Sequence, residues 1–340
     1  MPIKVNGRDI KFLKSRKPIS KNDGIDEERK YIIEMKNPED LTNDYKIPIL
    51  SDCFFKTMFV NENRKKYSCL LLSYLLNIPY DKLLSKLEFG KNELDKRKNS
   101  LKGERADFIA YIDGAAIDIE INCNDSIETL ERNIEYMDRL YSKEVKRGGK
   151  YYYRQSILVN INNFAFKGKE DVKYICYITD NDNEAITDKK IIIQIYIPNL
   201  IKKWYTNGVE NLTEEEKYLL TLVVPDVKIA FEIGKGHEIM EEYINEAIEV
   251  SRDEEFRDEY RKEWDLMDQY HRYGYEDGKV EGIEEGIEKG IEKGIEKGIE
   301  KGIEKNRSEI VKKMLEKNTN IQFIMEVTGL SKKQVEAYRN

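Results

Sequence analysis

The sequence predicts an α/β fold, and three observations indicate that class. Helix-like apolar spacing begins near residue 51, two strand-like segments meet at the tight turn Asp113-Gly114, and a further helix with three more strand-like segments follows. Helices that alternate with strands along a chain indicate a sheet with helices packed against it. We therefore expect one α/β domain over residues 46–200 of the 340-residue chain, after an irregular lead-in over residues 1–45.

The helices are predicted from the spacing of apolar residues. The first begins after Ser51 or Asp52, since both residue types cap helix N-termini. Its apolar residues recur three and four positions apart, and they are Phe54, Phe55, Met58 and Phe59. Similar spacing predicts helices over residues 67–76, 80–86 and 126–146.

The strands are predicted from period-two alternation and from β-branched composition. Residues 106–112 and 115–122 flank the Asp-Gly pair, which is a strong signal for a two-residue hairpin turn. In the second strand, side chains alternate between an isoleucine face and a polar face. The polar face carries Asp118, Glu120 and Asn122. Three further segments are apolar enough to predict buried strands, at residues 155–162, 174–179 and 191–197.

The chain after residue 200 is predicted to be helical and highly charged. A helical region over residues 201–273, broken near Pro225, precedes a Gly-Ile-Glu-Lys repeat over residues 274–305. Because a helix advances 100° per residue, a four-residue repeat drifts by about 40° per unit and marks no straight apolar face. The repeat is therefore either a helical linker or a segment for self-association. Residues 306–340, with a capping box that begins at Ser331, form either a helix-turn-helix or a small docking hairpin.

The composition excludes several classes of protein. Apolar runs are far shorter than the roughly 20 residues that a membrane span needs. The first residues lack the apolar core of a signal peptide, so we expect a cytoplasmic protein without a membrane partner. Four cysteines form no CxxC pair, which indicates reduced thiols. With only two histidines, an enzyme of this composition would rely on carboxylates and a hard metal ion.

Three acidic residues are candidates for such a metal site. Asp107 lies on the first strand of the predicted hairpin, Glu120 lies on the second, and Asp52 opens the first helix. Two or three carboxylates at one end of a sheet would bind Mg²⁺ or Mn²⁺, which prefer oxygen ligands. The alternative is that these acids form only the solvent-exposed face of an alternating strand.

Several segments together resemble one nuclease family. Residues 52–59 (Asp-Cys-Phe-Phe-Lys-Thr-Met-Phe) are similar to its opening Asp-x-x-Phe-Lys-x-x-Phe segment. Arg105-Ala-Asp107, followed by residues 117–122 (Ile-Asp-Ile-Glu-Ile-Asn), resembles its split acidic motif, and the repeats and the closing Thr-Gly-Leu-Ser segment are similar to its C-terminal end. Most of the chain thus resembles the Rpn family of recombination-promoting nucleases, also described as transposases, within the PD-(D/E)XK nuclease superfamily. The resemblance implies a PD-(D/E)XK-like core in which helices flank a mixed sheet.

The resemblance also implies roles for individual residues. It makes Asp107 and Glu120 the ligands of a Mg²⁺ or Mn²⁺ ion, and Asp52 an auxiliary acid of the catalytic site. Asn122 stands where the family usually has lysine or glutamine, and it would orient the attacking water molecule. Asparagine brings no positive charge to the scissile phosphate, whereas lysine would stabilise its negative charge. Lys56, one turn along the first helix from Asp52, is a candidate source of that charge.

Two hypotheses of function follow. The first is a metal-dependent endonuclease whose substrate and partner is DNA, with Lys56, Arg105 and Arg132 as phosphate contacts. The second is a catalytically inactive nuclease-fold protein that binds DNA, or that assembles into homo-oligomers through the C-terminal repeat. The uncharged Asn122 and the net charge of −7 motivate the second hypothesis.

Overall fold

The centre of the molecule is a mixed six-stranded sheet. A computed structural model describes residues 18–19, 30–91, 106–123, 127–142, 153–269, 299, 302 and 305–338. The strands of the sheet, in spatial order, are β2 (Glu88–Phe89), β3 (Phe108–Ile112), β4 (Ala115–Asn122), β5 (Ser156–Asn162), β8 (Lys190–Tyr196) and β7 (Lys173–Tyr177). Two short strands, β1 (Pro18–Ile19) and β6 (Ala165–Phe166), form a separate antiparallel pair. The predicted α/β class with a mixed sheet is confirmed.

Helices pack against this sheet as the apolar spacing predicts. Contacts between residues divide the chain into two units, Met1–Asp265 and Leu266–Asn340. The helices of the first unit are α1 (Asp52–Phe59), α2 (Lys65–Leu76), α3 (Tyr80–Lys86), α4 (Ile127–Ser142), α5 (Ile197–Asn207), α6 (Glu214–Val223), α7 (Val227–Gly234) and α8 (Glu238–Arg252). Residues 254–269 form a further helix. The predicted break near Pro225 falls between α6 and α7.

The hairpin of β3 and β4 has the predicted turn. Asp113 and Gly114 have φ angles of 47° and 84°, the left-handed pair that a type I′ turn requires. The two strands are antiparallel, with Phe108 opposite Ile119, and their isoleucine and phenylalanine side chains enter the main apolar core. The turn therefore sets the register that brings Asp107 opposite Glu120.

The polar face of β4 is buried, which contradicts the alternative of a solvent-exposed strand face. β4 pairs in parallel with β5, and β5 pairs in parallel with β8. Helix α4 connects β4 to β5 and covers this face, where its Tyr136 and Leu140 pack on Ile109 and Ala116. Strands at the centre of a parallel sheet are covered by helices on both faces, so even their polar side chains are buried.

The strand predicted over residues 174–179 is present as β7, but it is not buried. It pairs only with β8 and forms an edge of the sheet. Ile175 and Tyr177 are 50% and 48% exposed. The prediction of burial rested on β-branched and aromatic composition, and composition does not distinguish an edge strand from a central one.

The main core lies on the other face of the sheet. Ser51 caps α1, where its hydroxyl accepts a hydrogen bond from the Phe54 main-chain N–H at 3.2 Å. The apolar side chains of α1 are fully buried, and Phe55 contacts both Phe59 and Phe108. The predicted first helix and its cap are confirmed, and α1 is thereby held against the hairpin.

The described part of the N-terminal lead-in is attached to this core. Residues 30–45 are irregular except for short helical turns. The Ile33 main chain exchanges two hydrogen bonds with the Asn163 side chain, at 3.1 and 2.8 Å. Tyr45 is buried in the main core.

The second unit has a small apolar cluster of its own. Residues 305–316, Ile321–Thr328 and Lys332–Ala337 are helical, as predicted. Their buried residues are Val311, Ile324 and Val335. The predicted capping box is present, because the Ser331 main-chain N–H donates to Gln334 Oε1 at 2.9 Å. Most of the tetrapeptide repeat lies outside the described residues, so its self-association stays a prediction.

No helix in the described part of the chain is both long and apolar enough to cross a membrane.

Candidate active site

Asp107 and Glu120 lie side by side where the hairpin strands are farthest from their turn. The Asp107 main-chain N–H donates to Glu120 Oε1 at 3.2 Å, and the Ile121 main-chain N–H donates to Asp107 Oδ2 at 2.9 Å. Because both bonds connect β4 to the residue that precedes β3, they fix the two carboxyl groups at one end of the sheet. The structure therefore brings the predicted metal-binding pair together.

A third carboxyl group, Asp118, is buried on the same face of β4. Asp118 is 0% exposed and Glu120 is 2% exposed. Apart from the neighbouring Glu120 carboxyl, the Asp118 oxygens have no hydrogen-bond partner among the described residues. Burial raises the pKa of Asp107, Asp118 and Glu120, and the nearby Asp107 carboxylate further raises the pKa of the other two. We call these three residues the acidic cluster. Burial and mutual repulsion disfavour the state in which all three are ionised.

Two cationic side chains approach the acidic cluster from different helices. Arg132 of α4 places Nη2 3.9 Å from Glu120 Oε2. Lys56 of α1 lies 2.6 Å from Asp52 Oδ1 and lowers the pKa of Asp107, in part opposing the effects of burial and of Asp52. Three of the predicted site residues, Asp52, Lys56 and Arg132, therefore interact with Asp107 or Glu120. Arg105, the remaining predicted phosphate contact, lies outside the described residues.

Asn122 lies beside this cluster, but its amide group is engaged within the protein. Its Nδ2 donates to Asn160 Oδ1 at 3.2 Å and to Asn162 Oδ1 at 3.0 Å. Its Oδ1 accepts from Asn133 Nδ2 at 3.0 Å. Asn122 is also buried. Both N–H donors are therefore used inside the fold, which favours a positioning role over direct contact with a water molecule.

The side chains that hold Asn122 form a buried amide network. Asn133 Nδ2 also donates to Asn160 Oδ1 at 2.7 Å, and Asn162 Nδ2 donates to Gln194 Oε1 at 2.9 Å. Strand pairing explains the contacts, since Asn160 lies opposite both Glu120 and Gln194. We call this set the amide network, and its members are Asn122, Asn133, Asn160, Asn162 and Gln194. Sequence reasoning missed all but Asn122, although polar residues at alternate positions of an apolar strand were a visible signal.

Glu263 is a second residue that sequence reasoning missed. It lies on the helix over residues 254–269 and reaches the N-terminus of α1. Its carboxylate accepts hydrogen bonds from the Ser51 hydroxyl and from the main-chain N–H groups of Asp52 and Cys53, at 2.8, 2.8 and 3.1 Å. Glu263 is separated from these residues by about 210 positions, and one glutamate in a charged helix carries no sequence signal of such a contact.

The acidic cluster suits a hard divalent cation that takes further ligands from elsewhere. Within the described ranges, no group of three or more His, Cys, Asp or Glu side chains is arranged to hold a metal ion by itself. Mg²⁺ is commonly bound through one or two carboxylates, with water and substrate phosphates completing its shell. Asp107 and Glu120 match that pattern, and the uncompensated buried charge of the cluster favours a cation there.

Comparison with known proteins agrees with this geometry. The family described as PD-(D/E)XK nuclease family transposase matches residues 49–273, which include the sheet, α1, the hairpin and Glu263. No curated protein and no solved structure matches the chain. The matched segment is well over half of the chain, and it contains the hairpin with its buried carboxylate pair. The chain therefore belongs to the PD-(D/E)XK nuclease family transposases.

Proposed function

We propose that this protein is a metal-dependent DNA endonuclease that hydrolyses phosphodiester bonds. The observation that carries the proposal is the pair of adjacent carboxyl groups of Asp107 and Glu120 at one end of the sheet, where the Asp107 main-chain N–H donates to Glu120 and burial raises the pKa of both carboxyl groups. Family membership supports a nuclease-type function. DNA as substrate and Mg²⁺ or Mn²⁺ as cofactor are the finer parts of the proposal.

Each residue of the site has a role that follows from its position. Asp107 and Glu120 would hold the ion, which when bound lowers the pKa of a water molecule and stabilises charge on the phosphoryl group. Asp52 would keep Lys56 next to the carboxylate pair through their ion pair. Lys56 and the half-exposed Arg132 would each contact a phosphate oxygen of the DNA backbone.

Lys56 is our candidate for the positive charge near the scissile phosphate, which the uncharged Asn122 does not supply. The Asn122 amide is buried and hydrogen-bonded to three other asparagines. Lys56 is partly exposed on α1 and close enough to Asp107 to lower its pKa. We propose that Lys56 stabilises the scissile phosphate, while Asn122 fixes the end of β4 that carries Glu120.

The test is cleavage of supercoiled plasmid by the parent protein in Mg²⁺, in Mn²⁺ and in EDTA. We expect nicking or linearisation with either metal and none in EDTA. Asp107→Ala and Glu120→Ala should abolish cleavage. Asp113→Asn is the matched control, since Asp113 lies at the other end of the same hairpin and is paired with Lys82 and Lys86. Cleavage by purified Asp107→Ala at the parent rate would refute the site.

A second candidate function is a nuclease-fold protein without catalytic activity that binds DNA or self-associates. It is favoured by one observation, the engagement of Asn122 inside the amide network. Under this alternative, folded parent protein cleaves no plasmid with either metal. Removal of residues 274–340 should then lower the sedimentation coefficient from that of an oligomer to that of a monomer.

A further inference from the structure

The N-terminus of α1 is held by a residue from the far end of the matched segment. The first N–H groups of a helix have no partner within the helix, and nearby side chains usually satisfy them. Here Ser51 accepts from the Phe54 N–H. The Glu263 carboxylate accepts from the Asp52 and Cys53 N–H groups and also from the Ser51 hydroxyl. One side chain therefore satisfies the cap residue and the first two residues of the helix.

The helix that carries Glu263 is anchored to its surroundings at two further points. Phe256 packs edge-on against Phe54, with ring centroids 5.8 Å apart. The Tyr260 hydroxyl donates to the Lys36 main-chain carbonyl at 2.7 Å. These contacts lie on the same side of the helix as Glu263, about one and two turns before it. The carboxylate of Glu263 is therefore presented to α1 by a packed helix and not by a mobile side chain alone.

The end of α1 that Glu263 holds is the end that bears candidate site residues. Asp52 is the first residue of α1, its carboxyl group interacts with that of Asp107, and it pairs with Lys56 one turn later. A displacement of this turn would move both side chains away from Asp107. A misplacement of about 1 Å in a reacting group can reduce an enzymatic rate on the order of 100-fold.

The carboxylate of Glu263 brings both a negative charge and two acceptor oxygens to the N-terminus of α1. Glu263 adds a further negative charge next to Asp52, which by itself is unfavourable. The N-terminus of α1 offsets that charge, because its N–H groups and helix dipole favour an anion. An amide or hydroxyl cap has one acceptor oxygen, whereas the two oxygens of Glu263 accept hydrogen bonds from three donors.

We propose that Glu263 is a positioning residue that fixes the first turn of α1, so that Asp52 and Lys56 face the Asp107–Glu120 pair. The inference rests on the proposed function for its catalytic consequence. The rival explanation is that the carboxylate occupies the position of a DNA phosphate at the helix N-terminus and so inhibits the enzyme. The two explanations predict opposite effects when the carboxylate is removed.

The experiment uses the full-length protein with Glu263→Ala, the conservative Glu263→Gln, and Glu259→Gln as matched control. Glu259 is an exposed glutamate one turn earlier on the same helix. Three quantities are measured: amide hydrogen exchange of Asp52 and Cys53, the Kd for Mn²⁺ by calorimetry, and kcat and KM for plasmid cleavage. The exchange measurement needs neither metal nor activity.

For Glu263→Ala we expect amide exchange at Asp52 and Cys53 to accelerate at least about tenfold, because both N–H groups lose their acceptor. We expect a Kd for Mn²⁺ weaker by about tenfold and a kcat lower by about 10–100-fold, with KM for DNA within about twofold. Glu263→Gln keeps one acceptor oxygen and should recover part of each loss. Glu259→Gln should match the parent protein.

The outcomes separate this inference from the proposed function. If the parent protein cleaves nothing with either metal, the proposed function fails, while exchange and Mn²⁺ binding still decide whether Glu263 positions α1. If the parent cleaves and Glu263→Ala retains its kcat and its Kd for Mn²⁺, the positioning role is wrong, even if the melting temperature falls. Faster cleavage or tighter DNA binding by Glu263→Ala would overturn it in favour of inhibition.

Discussion

The acidic cluster and the amide network share one face of one sheet, but their buried polar groups differ in how far they are hydrogen-bonded within the protein. In the amide network, Asn133 and Asn122 each donate two hydrogen bonds to side-chain carbonyl oxygens, and both donate to Asn160 Oδ1. In the acidic cluster, Asp118 has no hydrogen-bond partner among the described residues apart from the neighbouring Glu120 carboxyl, and Glu120 has one cation at 3.9 Å. Most amide groups of the network are therefore hydrogen-bonded to one another, with Asn160 Nδ2 as an exception among the described residues, whereas the carboxyl groups of the cluster have few donors around them.

The difference follows from the chemistry of the two groups. A side-chain amide has two donors and an acceptor oxygen, so amides can satisfy each other in a chain. Ionised carboxylates are acceptors only, and neighbouring ones repel. A group of buried carboxylates therefore needs protons or a cation from outside the chain. From this comparison we predict that the acidic cluster is the functional part of the face and that the amide network is its structural support.

The sharpest test of the comparison is Glu120→Gln, which should have the largest effect on function and little on the fold. We expect the Kd for Mn²⁺ to weaken by more than about 100-fold and cleavage to fall to background, since one of two charged ligands is lost. The melting temperature should change little, because burial favours the neutral form of the Glu120 carboxyl and the glutamine amide is neutral and of similar size.

Calorimetry with Mn²⁺ and thermal unfolding by circular dichroism measure the two quantities. Glu131→Gln, at an exposed position of α4, is the control and should match the parent in both. A large fall in the melting temperature of Glu120→Gln would mean that Glu120 belongs to the structural support.

The converse change is Asn133→Ala in the amide network, which should affect the fold more than the chemistry. It removes the donor of Asn122 Oδ1 and leaves that buried oxygen without its hydrogen bond. We expect the free energy of unfolding to fall by about 2 kcal/mol, with the Kd for Mn²⁺ changed less than about threefold. Urea unfolding and calorimetry measure these effects.

The control for Asn133→Ala is Asn245→Ala, at an exposed position of helix α8, which should change stability by less than about 0.5 kcal/mol. Loss of Mn²⁺ binding by a folded Asn133→Ala protein would show that the network is part of the site after all.

Lys46 tests whether an unsatisfied buried charge is by itself a sign of function. Its ammonium group is buried, has no hydrogen-bond partner among the described residues, and lies 5.8 Å from the centre of the Tyr243 ring. Burial lowers its pKa from 10.5 to about 7. Between these two values the unfolded chain binds the extra proton, so Lys46 makes the free energy of unfolding rise with pH.

We expect Lys46→Met to stabilise the protein by about 1–2 kcal/mol at pH 7 and to leave the Kd for Mn²⁺ unchanged. The advantage of the variant over the parent should shrink from pH 7 to pH 9, because the parent gains about 1 kcal/mol per pH unit from Lys46 in that window. Urea unfolding of both proteins at each pH isolates the lysine. A constant difference across this range would mean that Lys46 stays protonated in the folded protein up to pH 9, so that burial does not lower its pKa into this window.

The local parts of the fold could be predicted from the sequence, because they depend on near neighbours. The cap at Ser51, the turn at Asp113-Gly114 and the alternation of β4 all follow from residues within a few positions of each other. The convergence of Asp107 with Glu120 also follows, since a two-residue turn fixes which residues lie opposite each other.

The environment of those residues could not be predicted, because it depends on distant segments. Burial of the polar face of β4 requires α4 above it and β5 beside it. The alternation of polar and apolar residues alone does not distinguish a buried polar face from an exposed one. The exposure of β7 depends on its place at the sheet edge. The contact of Glu263 with α1 joins residues about 210 positions apart, and the tertiary structure alone brings them together.

The smallest predicted effect concerns Lys56, the cation that the comparison places at the open cluster. Lys56 and Lys82 are partly exposed lysines, each paired with one aspartate, at 2.6 and 2.7 Å. If Lys56 contacts a DNA phosphate, Lys56→Ala should lower the slope of log Kobs against log salt by about 0.9 and weaken binding several-fold. Lys82→Ala, near the hairpin turn, should leave the slope unchanged.

Filter binding to duplex DNA in Ca²⁺ measures the slope for both variants. The salt concentration is varied between 50 and 200 mM, about the range in which such slopes are resolved. Equal slopes for the two variants would remove Lys56 from the DNA interface, and the positive charge near the cluster would then serve only to hold Asp52 in place.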